Sequence, residues 1–351
     1  MAMQSAPKRY TRAMSRQGKL LVLLGAGLVL VFLLHVGIGS TLWFKPWSVV
    51  AELLRGPMAD ATADNSIIWQ IRLPRAVLAL CVGVSLGVVG SAFQAQLRNS
   101  LADPYIVGVS SGAAVGGVTA LVTGVGTAFG GVGTMLAGFI TGMASLALVY
   151  ALSRRKGFVE VTALLLSGVA IGALLSALTS LVLLMAGQDT NRVLQWLLGY
   201  LGAASWPQIA VLAVGTVSGS IVMILNTKVM NVFATGESTA SRLGIDVPRF
   251  RSLILATGTA MTAASVGAVG IIGFLGLVAP HIARRIVGVD WRFSLPASGL
   301  IGGILLLASD LIAQRGVSLV TNTVGMELPV GIVTAVLGAP SLLVLLRRTA
   351  R

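Results

Sequence analysis

Few residues of this sequence could carry chemistry, and the most conspicuous are ionisable side chains that interrupt long apolar runs. Asp310 lies near the predicted outer end of one run with Gln314 one helical turn later, and Glu327 precedes the turn Leu328-Pro329. Ionisable residues inside apolar spans typically mark ion or proton pathways. Neither carboxylate has an obvious partner of opposite charge. The pattern therefore argues against an ion-driven carrier and leaves a pore, or a transporter with another source of energy.

The sequence predicts neither a metal centre nor a nucleotide site. His35 and His281 are far apart, and no cysteine or carboxylate cluster accompanies either of them, whereas a zinc site needs several such ligands together. The segment RQGKL (Arg16–Leu20) lacks the first glycine and the Ser/Thr of a phosphate-binding loop. The glycine-rich GVGTAFGGVG (Gly124–Gly133) follows no predicted strand, so we interpret it as an outer turn. We expect no enzymatic activity and no cofactor in this chain.

A polar stretch, ATGESTASRLGID (Ala234–Asp246), follows a run that could cross a membrane. It predicts a short helix. Glu237 lies near its start, where the helix dipole favours an acid. Arg242 follows about one turn later, and Gly244 comes after the end, where glycine commonly terminates helices. The pattern alone leaves open whether this is an idle solvated loop or a segment that contacts a partner.

The elements that must position these residues are membrane helices. The chain has 351 residues, of which 56% are hydrophobic and 10% are charged, and its mean hydropathy is +0.92. Soluble domains carry about 25% charged residues, and a hydrocarbon core of about 30 Å needs about 20 apolar residues per helix. The alternating segments of an outer-membrane barrel are absent. We therefore predict one all-α, membrane-embedded domain over residues 1–351.

About ten apolar runs are candidate spanning helices, if lengths below about 17 residues are accepted. They are Leu20–Ile38, Ala76–Phe93, Ile106–Val125, Thr134–Leu152, Ala163–Met185, Ile209–Leu225, Leu253–Gly270, Gly273–Ile286, Leu295–Ile312 and Val330–Leu346. The first run is longer than the core of a cleaved signal peptide, which is the competing interpretation, so we expect it to be retained. Between Leu253 and Ile286, a break with a short return helix is predicted by Gly270, Gly273, Gly276 and Pro280.

The distribution of basic residues predicts the orientation of these helices. With the N-terminus in the cytoplasm, the basic segment 1–19 and the other inner segments hold 19 of the 25 Lys and Arg residues. The outer segments hold the remaining six, Lys45, Arg55, Arg72, Arg75, Arg192 and Arg315. Because cytoplasmic loops are enriched in basic residues, this asymmetry predicts N-in and C-in. The bases are scattered over separate loops, so the net charge of +14 does not indicate nucleic-acid binding.

Five long motifs in register carry a family resemblance. They are IRLPRAVLAL (Ile71–Leu80), LRNSLADPYIVGVSSGAAVG (Leu97–Gly116), GFLGLVAPHIARRIVG (Gly273–Gly288), DLIAQR (Asp310–Arg315) and ELPVGIVTAVLGAP (Glu327–Pro340). They resemble the permease subunits of ABC importers for iron chelates, haem and cobalamin, in order from about Trp69 to the C-terminus. One departure is Ser100, where the family usually has proline.

The resemblance implies a type II ABC importer permease fold and a homodimer in the bacterial cytoplasmic (inner) membrane. It also implies two cytoplasmic ABC ATPases, which use ATP, and an extracytoplasmic substrate-binding protein. Residues 234–251 match the family's cytoplasmic coupling loop, whose short helices seat in a groove of the ATPase. The implied coupling residues are Gly236, Glu237, Ser241, Arg242, Leu243 and Gly244.

Other roles follow from the resemblance by position. Arg72, Arg75 and Arg315 match arginines that face acidic residues of the binding protein; snorkelling to the lipid headgroups is the alternative. The residues expected to narrow the cytoplasmic end of the pathway are Asn99, Leu101, Val161 and Thr162. The pathway itself is expected along the dimer axis, lined by Ala163–Met185 and Val330–Leu346.

Two other classes of membrane protein are alternatives to an ABC permease. An ion-coupled secondary carrier should show buried ionisable residues, and a channel or scaffold would need no coupling loop. The substrate is open, because selectivity in this family resides mostly in the binding protein. An iron–siderophore complex is our first choice, haem the second and cobalamin the third.

Overall fold

The structure is a computed structural model, and it describes residues 6–39, 43–57, 63–105, 108–155, 158–321 and 327–349. Helices dominate this part of the chain, as the apolar composition predicts. In chain order they are α1 (Ala6–Gly37), α2 (Pro46–Arg55), α3 (Ala63–Ile67), α4 (Leu73–Leu97), α5 (Val109–Val122), α6 (Val132–Ser153), α7 (Val161–Leu184), α8 (Thr190–Leu197), α9 (Trp206–Leu225), α10 (Thr227–Ala234), α11 (Glu237–Arg242), α12 (Val247–Val269), α13 (Leu275–Val287), α14 (Trp291–Thr321) and α15 (Val330–Thr349).

Short elements of other types join these helices. A π-helical turn, Ile68–Arg72, leads directly into α4, and 3₁₀ turns cover Val125–Thr127 and Gly187–Asp189. Two strands of two residues each, β1 (Arg154–Arg155) and β2 (Phe158–Val159), pair in antiparallel fashion between α6 and α7. The prediction of an all-α protein is confirmed for the described residues apart from this small hairpin.

Each of the ten predicted spans coincides with one helix, namely α1, α4, α5, α6, α7, α9, α12, α13, α14 and α15. Within the described part of the chain, seven helices are long and apolar enough to cross a membrane; they begin at Arg16, Ala63, Val132, Thr162, Trp206, Val247 and Trp291. The apolar helices Val109–Val122 and Val330–Leu343 are shorter, and α13 has 13 residues. The count of ten crossings and the N-in, C-in orientation stay predictions.

The predicted break between Leu253 and Ile286 is confirmed. Residues 270–274 separate α12 from α13, and the backbone at this break bonds to the connection between α8 and α9. The Ile271 N–H donates to the carbonyl of Leu197 at 3.3 Å, and the Tyr200 N–H donates to the carbonyl of Val269 at 2.9 Å. Non-helical backbone at membrane depth requires partners of this kind, because lipid supplies none.

The core of the bundle is organised around α4. In the span Ala63–Leu97, 78% of the most apolar 18-residue stretch is buried, whereas in Thr162–Leu184 only 11% of that stretch is buried. α4 packs against α14, α13, α12 and α9. Close approach depends on glycine, since a Cβ added at Gly90 would collide with the carbonyl oxygen of Gly276 in α13. In lipid, small residues of this kind drive helix packing by bringing backbones together.

Candidate functional site

The three arginines predicted to contact a binding protein converge at one end of the bundle, where α1 ends and α4 begins. Nη1 of Arg72 donates to the carbonyl of Gly37 at 2.7 Å, and its guanidinium carbon lies 4.6 Å from the centre of the Phe44 ring. Nε of Arg315, in α14, donates to the carbonyl of Gly39 at 3.0 Å. The structure therefore brings together Arg72 and Arg315 from positions far apart in the sequence.

Arg75 is bound by two carboxylates inside the bundle. Its Nε and Nη2 donate to Oδ2 and Oδ1 of Asp310 at 2.7 Å and 2.8 Å, and its Nη1 donates to Oε2 of Glu327 at 2.7 Å. A bidentate arginine–carboxylate pair is among the strongest polar contacts in proteins. The prediction that Asp310 and Glu327 have no partner of opposite charge is therefore wrong, because their partner lies on another helix, 235 positions before Asp310.

His35 and Gln314 complete this buried cluster around Asp310. Nε2 of His35 lies 2.8 Å from Oδ2 of Asp310, and Nε2 of Gln314 donates to the same oxygen at 2.9 Å. His35 therefore has one carboxylate partner, which the sequence did not identify. Among the described residues, no group of three or more His, Cys, Asp or Glu side chains is placed to hold a metal ion. A buried carboxylate persists only when it is paired and hydrogen-bonded, and Arg75 supplies the positive charge.

The position of Arg75 bears on its predicted docking role. Its side chain is 10% exposed, and that of Glu327, the outermost member of the cluster, is 19% exposed. Arg72 is also buried, while Arg315 is half-buried. Arg75 holds α4, α14 and the start of α15 together in the single chain. Its contact with a binding protein stays a prediction.

At the other end of the bundle, the polar stretch forms the predicted short helix. α11 spans Glu237–Arg242 and is followed by Gly244, whose φ of +81° lies in the left-handed region that favours glycine. α12 begins directly afterwards, because the side chain of Asp246 accepts a hydrogen bond from the Arg249 N–H at 3.1 Å and caps the helix.

One side of α11 is held by the bundle and its far end is exposed. Glu237 pairs with Arg251 of α12, whose side chain is 7% exposed, and Ala240 is fully buried. Residues 241–244, which we call the α11 tip, are exposed, and the side chain of Leu243 is 66% exposed. Of the predicted coupling residues, Gly236 and Glu237 therefore lie on the anchored side, whereas the other four form the tip.

A second polar cluster fastens α10 to the connection between α13 and α14. Nδ2 of Asn231 donates to Oδ1 of Asp290 at 2.8 Å, and the Trp291 N–H donates to Oδ1 of Asn231 at 3.1 Å. Hydrogen bonds from Arg292, together with that from Asn231, lower the pKa of Asp290 to about 2. α10 and the neighbouring α11 are thus linked to the central helix α14 by ionised and hydrogen-bonded groups.

The residues predicted to narrow the pathway lie on two separate segments. Oδ1 of Asn99 accepts a hydrogen bond from the Leu101 N–H at 2.9 Å, which shapes the turn after α4. The side chain of Leu101 is 40% exposed. Thr162 is exposed at the start of α7, and the side chain of Val161 lies outside the described residues. Their role as a gate concerns two subunits and stays a prediction.

Several residues of these clusters were missed in the sequence, above all His35, Gln314, Asn231, Arg251 and Asp290. The only local signal was that Arg75 and Asp310 each lie in or beside an apolar run. A charge left alone in such a place is costly, so each one predicts a partner. It does not predict which residue that partner is.

The chain matches known proteins over nearly its whole length. The model of the FecCD transport family matches residues 27–348. The cobalamin import system permease protein BtuC of Halobacterium salinarum is 39% identical over 304 residues, which are 86% of this chain and 79% of that relative. The Fe(3+)-citrate import system permease protein YfmE of Bacillus subtilis is 35% identical over 348 residues, which are 98% and 99% of the two chains.

A solved structure agrees with this relationship. An ABC transporter of the metal-chelate type, in an inward-facing conformation, superposes with a TM-score of 0.78 and 29% sequence identity over 94% of this chain and 99% of that one. The seven long apolar helices found among the described residues fit a multi-pass protein of the inner membrane. The chain belongs to the FecCD transport family and is a permease of an ABC importer.

Proposed function

We propose that this chain is one half of a homodimeric permease that carries a metal chelate into the cytoplasm. Two ATPase subunits supply the energy, and an extracytoplasmic binding protein delivers the substrate. An iron chelate is the first candidate, with a siderophore complex before haem, and cobalamin is the alternative. Relatives named for iron(III) citrate import and for cobalamin import support both candidates.

The observation that carries this proposal is that the α11 tip, residues 241–244, is exposed while the rest of α11 is held by the bundle. Leu243 is 66% exposed at the end of a polar helix, so most of its apolar side chain is available to a partner, and covering it would be favourable. The pair between Glu237 and Arg251 holds α11 on α12. A partner that binds the tip can therefore push on α12 without first ordering the loop.

The exposed face of α7 suits contact with a second subunit and the lining of a substrate pathway. Leu166, Val169 and Leu174 are 66%, 67% and 56% exposed, and the hydroxyl groups of Ser111 and Ser176 lie 3.2 Å apart on the exposed side. A face with both apolar groups and hydroxyls suits a lining that lets a bulky chelate pass without strong retention. We infer that α7 and α15 of two copies line this pathway.

Arg315 and Arg72 are the better candidates for docking the binding protein. Arg315 is half-buried, and Arg315 and Arg72 donate to the backbone carbonyls of Gly39 and Gly37, whereas Arg75 is buried and binds two carboxylates. Changing Arg315 to Glu should weaken docking and make the remaining affinity less sensitive to salt, because the charge attraction that salt screens is removed. Arg192→Glu, an exposed change on the same predicted side, is the control; equal effects of both changes would contradict docking at Arg315.

The test of the function is transport by the assembled complex. The chain is reconstituted in liposomes with its ATPase and binding protein, and the uptake of a ferric siderophore, haem and cobalamin is compared. We expect ATP-dependent uptake of one of these chelates, and none with an ATPase that cannot hydrolyse ATP. Uptake that needs a proton gradient but no ATP would contradict the proposal.

The ion-coupled carrier is the second candidate, and one observation favours it. The sequence suggested that buried ionisable groups with partners were lacking, yet His35, Asp310 and Arg75 form such a cluster. In our proposal this cluster is structural, because its carboxylate is matched by an arginine that stays charged. The proton-gradient arm of the transport assay separates the two candidates.

A further inference from the structure

The short helix α2 presents an apolar face that is largely exposed in the described part of the chain. Trp47, Val50 and Leu54 recur at spacings of three and four residues, and they are 66%, 38% and 83% exposed. This spacing places the three side chains on one face of the helix. Trp43, which precedes the helix, is 70% exposed. Contiguous exposed apolar groups of this size mark an interaction surface.

The opposite side of α2 is firmly held by the bundle. Val49 is completely buried. The Trp69 indole N–H donates to the backbone carbonyl of Glu52 at 3.3 Å, and Nδ2 of Asn65 donates to Oε2 of the same residue at 3.0 Å. α2 is therefore a fixed part of the surface, and its exposed face is presented in one orientation.

The surroundings of α2 place this face beside the membrane. α2 packs on α1 and on the π-helical turn Ile68–Arg72, so it lies where one spanning helix ends and another begins. Arg16–Gly37 is the most apolar span in the described chain. Its most apolar 18-residue stretch has a mean hydropathy of 2.6, and only 17% of that stretch is buried. Most of this span is apolar and uncovered by the described chain, so the face of α2 adjoins a surface that suits contact with lipid.

The residue types around this face match the headgroup level of a bilayer. Three of the six tryptophans of the chain, Trp43, Trp47 and Trp69, lie in this one connection. Tryptophan is enriched at membrane–water interfaces. The Lys45 amino group lies 5.2 Å from the centre of the Trp47 ring, and Arg55 is exposed at the other end of the helix. A helix with an apolar face and basic residues beside it lies in the plane of the interface.

We propose that α2 is an interfacial helix whose face, formed by Trp43, Trp47, Val50 and Leu54, inserts between the headgroups and acyl chains of the membrane. Lys45 and Arg55 then lie near the lipid phosphates. In the predicted N-in orientation this is the extracytoplasmic leaflet. A binding protein is a less suitable occupant, because each dissociation would return large apolar side chains to water. The inference does not depend on which chelate is carried.

A nitroxide label at position 54 tests the proposal in the full-length chain. Cys81, the single native cysteine, is changed to Ala, and Leu54→Cys is labelled in lipid nanodiscs without any binding protein. We expect collisions with oxygen, which concentrates in lipid, to exceed collisions with a water-soluble nickel chelate. The control is Gln188→Cys, an exposed position on the same predicted side, where the ratio should be reversed.

The same label distinguishes the two occupants. A ratio at position 54 that resembles the ratio at position 188 would overturn the proposal. So would a label at 54 that is accessible to water in the bilayer and becomes immobilised only when the binding protein is added. If Leu54→Cys does not fold, Val50→Cys on the same face gives the same measurement.

Discussion

α4 and the α11 tip represent two opposite uses of polar residues in this permease. α4 runs through the centre of the bundle, and its Arg75 lies in a buried cluster with Asp310 and Glu327. α11 lies at the other end, and its Glu237 is 44% exposed where it pairs with Arg251. In α4 the ion pair holds helices to one another. In α11 the ion pair orients a helix whose exposed tip, residues 241–244, is left free for a partner.

This difference predicts which substitutions should lower the stability of the chain and which should weaken its assembly with the ATPase. Water does not reach the buried polar groups of α4 and cannot replace a lost partner. Removing one member of a pair therefore leaves the other member buried without a hydrogen bond, at the full cost of its desolvation. Groups at the α11 tip are hydrated in the single chain, so changing them should leave folding nearly intact and affect only the complex.

The largest effect is expected for Arg75→Ala. It leaves Asp310 buried without its positive partner, and loss of one member of a buried pair typically costs about 3–5 kcal/mol. The matched change Arg249→Ala removes an arginine that is 89% exposed from its pair with Asp246, and should cost at most about 1 kcal/mol. Denaturant or thermal unfolding of the purified chain measures both.

A double substitution sharpens this prediction. Arg75→Leu combined with Asp310→Leu removes both charges, and buried ion pairs can often be replaced by apolar residues with little loss. We expect the double variant to be more stable than Arg75→Ala alone. Equal stability of Arg75→Ala and Arg249→Ala would show that the cluster does not hold α4 in place.

The next effect concerns the packing of α4. Gly90→Ala would force a methyl group into the carbonyl oxygen of Gly276, and overpacking of this kind typically costs about 1–3 kcal/mol. Gly215→Ala in α9 is the matched control, because the described residues leave the space around its Cβ open. A thermal shift assay should show a lower midpoint for the first variant only. Comparable midpoints would mean that α4 and α13 can separate at little cost.

Leu243→Asp should change assembly and leave the fold intact. Truncation of a central interface residue typically costs about 2 kcal/mol, which is roughly 30-fold in affinity. We expect the ATPase to bind the variant permease about that much more weakly, with an unchanged unfolding midpoint. Ser238→Asp adds the same charge to α11 away from the tip and is the control. If both variants bind the ATPase like the wild type, the tip is not the contact surface.

The smallest effect is expected for Gly244→Ala. The φ of +81° at this position strains a residue with a Cβ by about 1 kcal/mol. Asparagine tolerates this conformation better, so Gly244→Asn should lie between alanine and the wild type. Transport-coupled ATP hydrolysis and local hydrogen exchange at residues 241–246 would measure the change. An alanine variant with unaltered exchange would indicate that the tip does not depend on this turn.

Local patterns in the sequence determined the membrane class, the ten helical segments and the position of α11. Each of these follows from neighbouring residues: apolar runs of sufficient length, a break at Gly270 and Gly273, and the acid and glycine that bound the short helix. The five motifs also predicted the family, which the match over residues 27–348 confirms. None of these inferences needed to know which helices are in contact.

Only the tertiary structure decided how the charges are paired. Arg75 and Asp310 are 235 positions apart, and His35 and Asp310 are 275 apart. The sequence shows each as an isolated polar group, and a lone charge in an apolar run predicts a partner without identifying it. The antiparallel packing of α4 on α14 brings these groups within hydrogen-bond distance. Once the bundle has closed, water no longer reaches them, and each can be stabilised only by the residues opposite it.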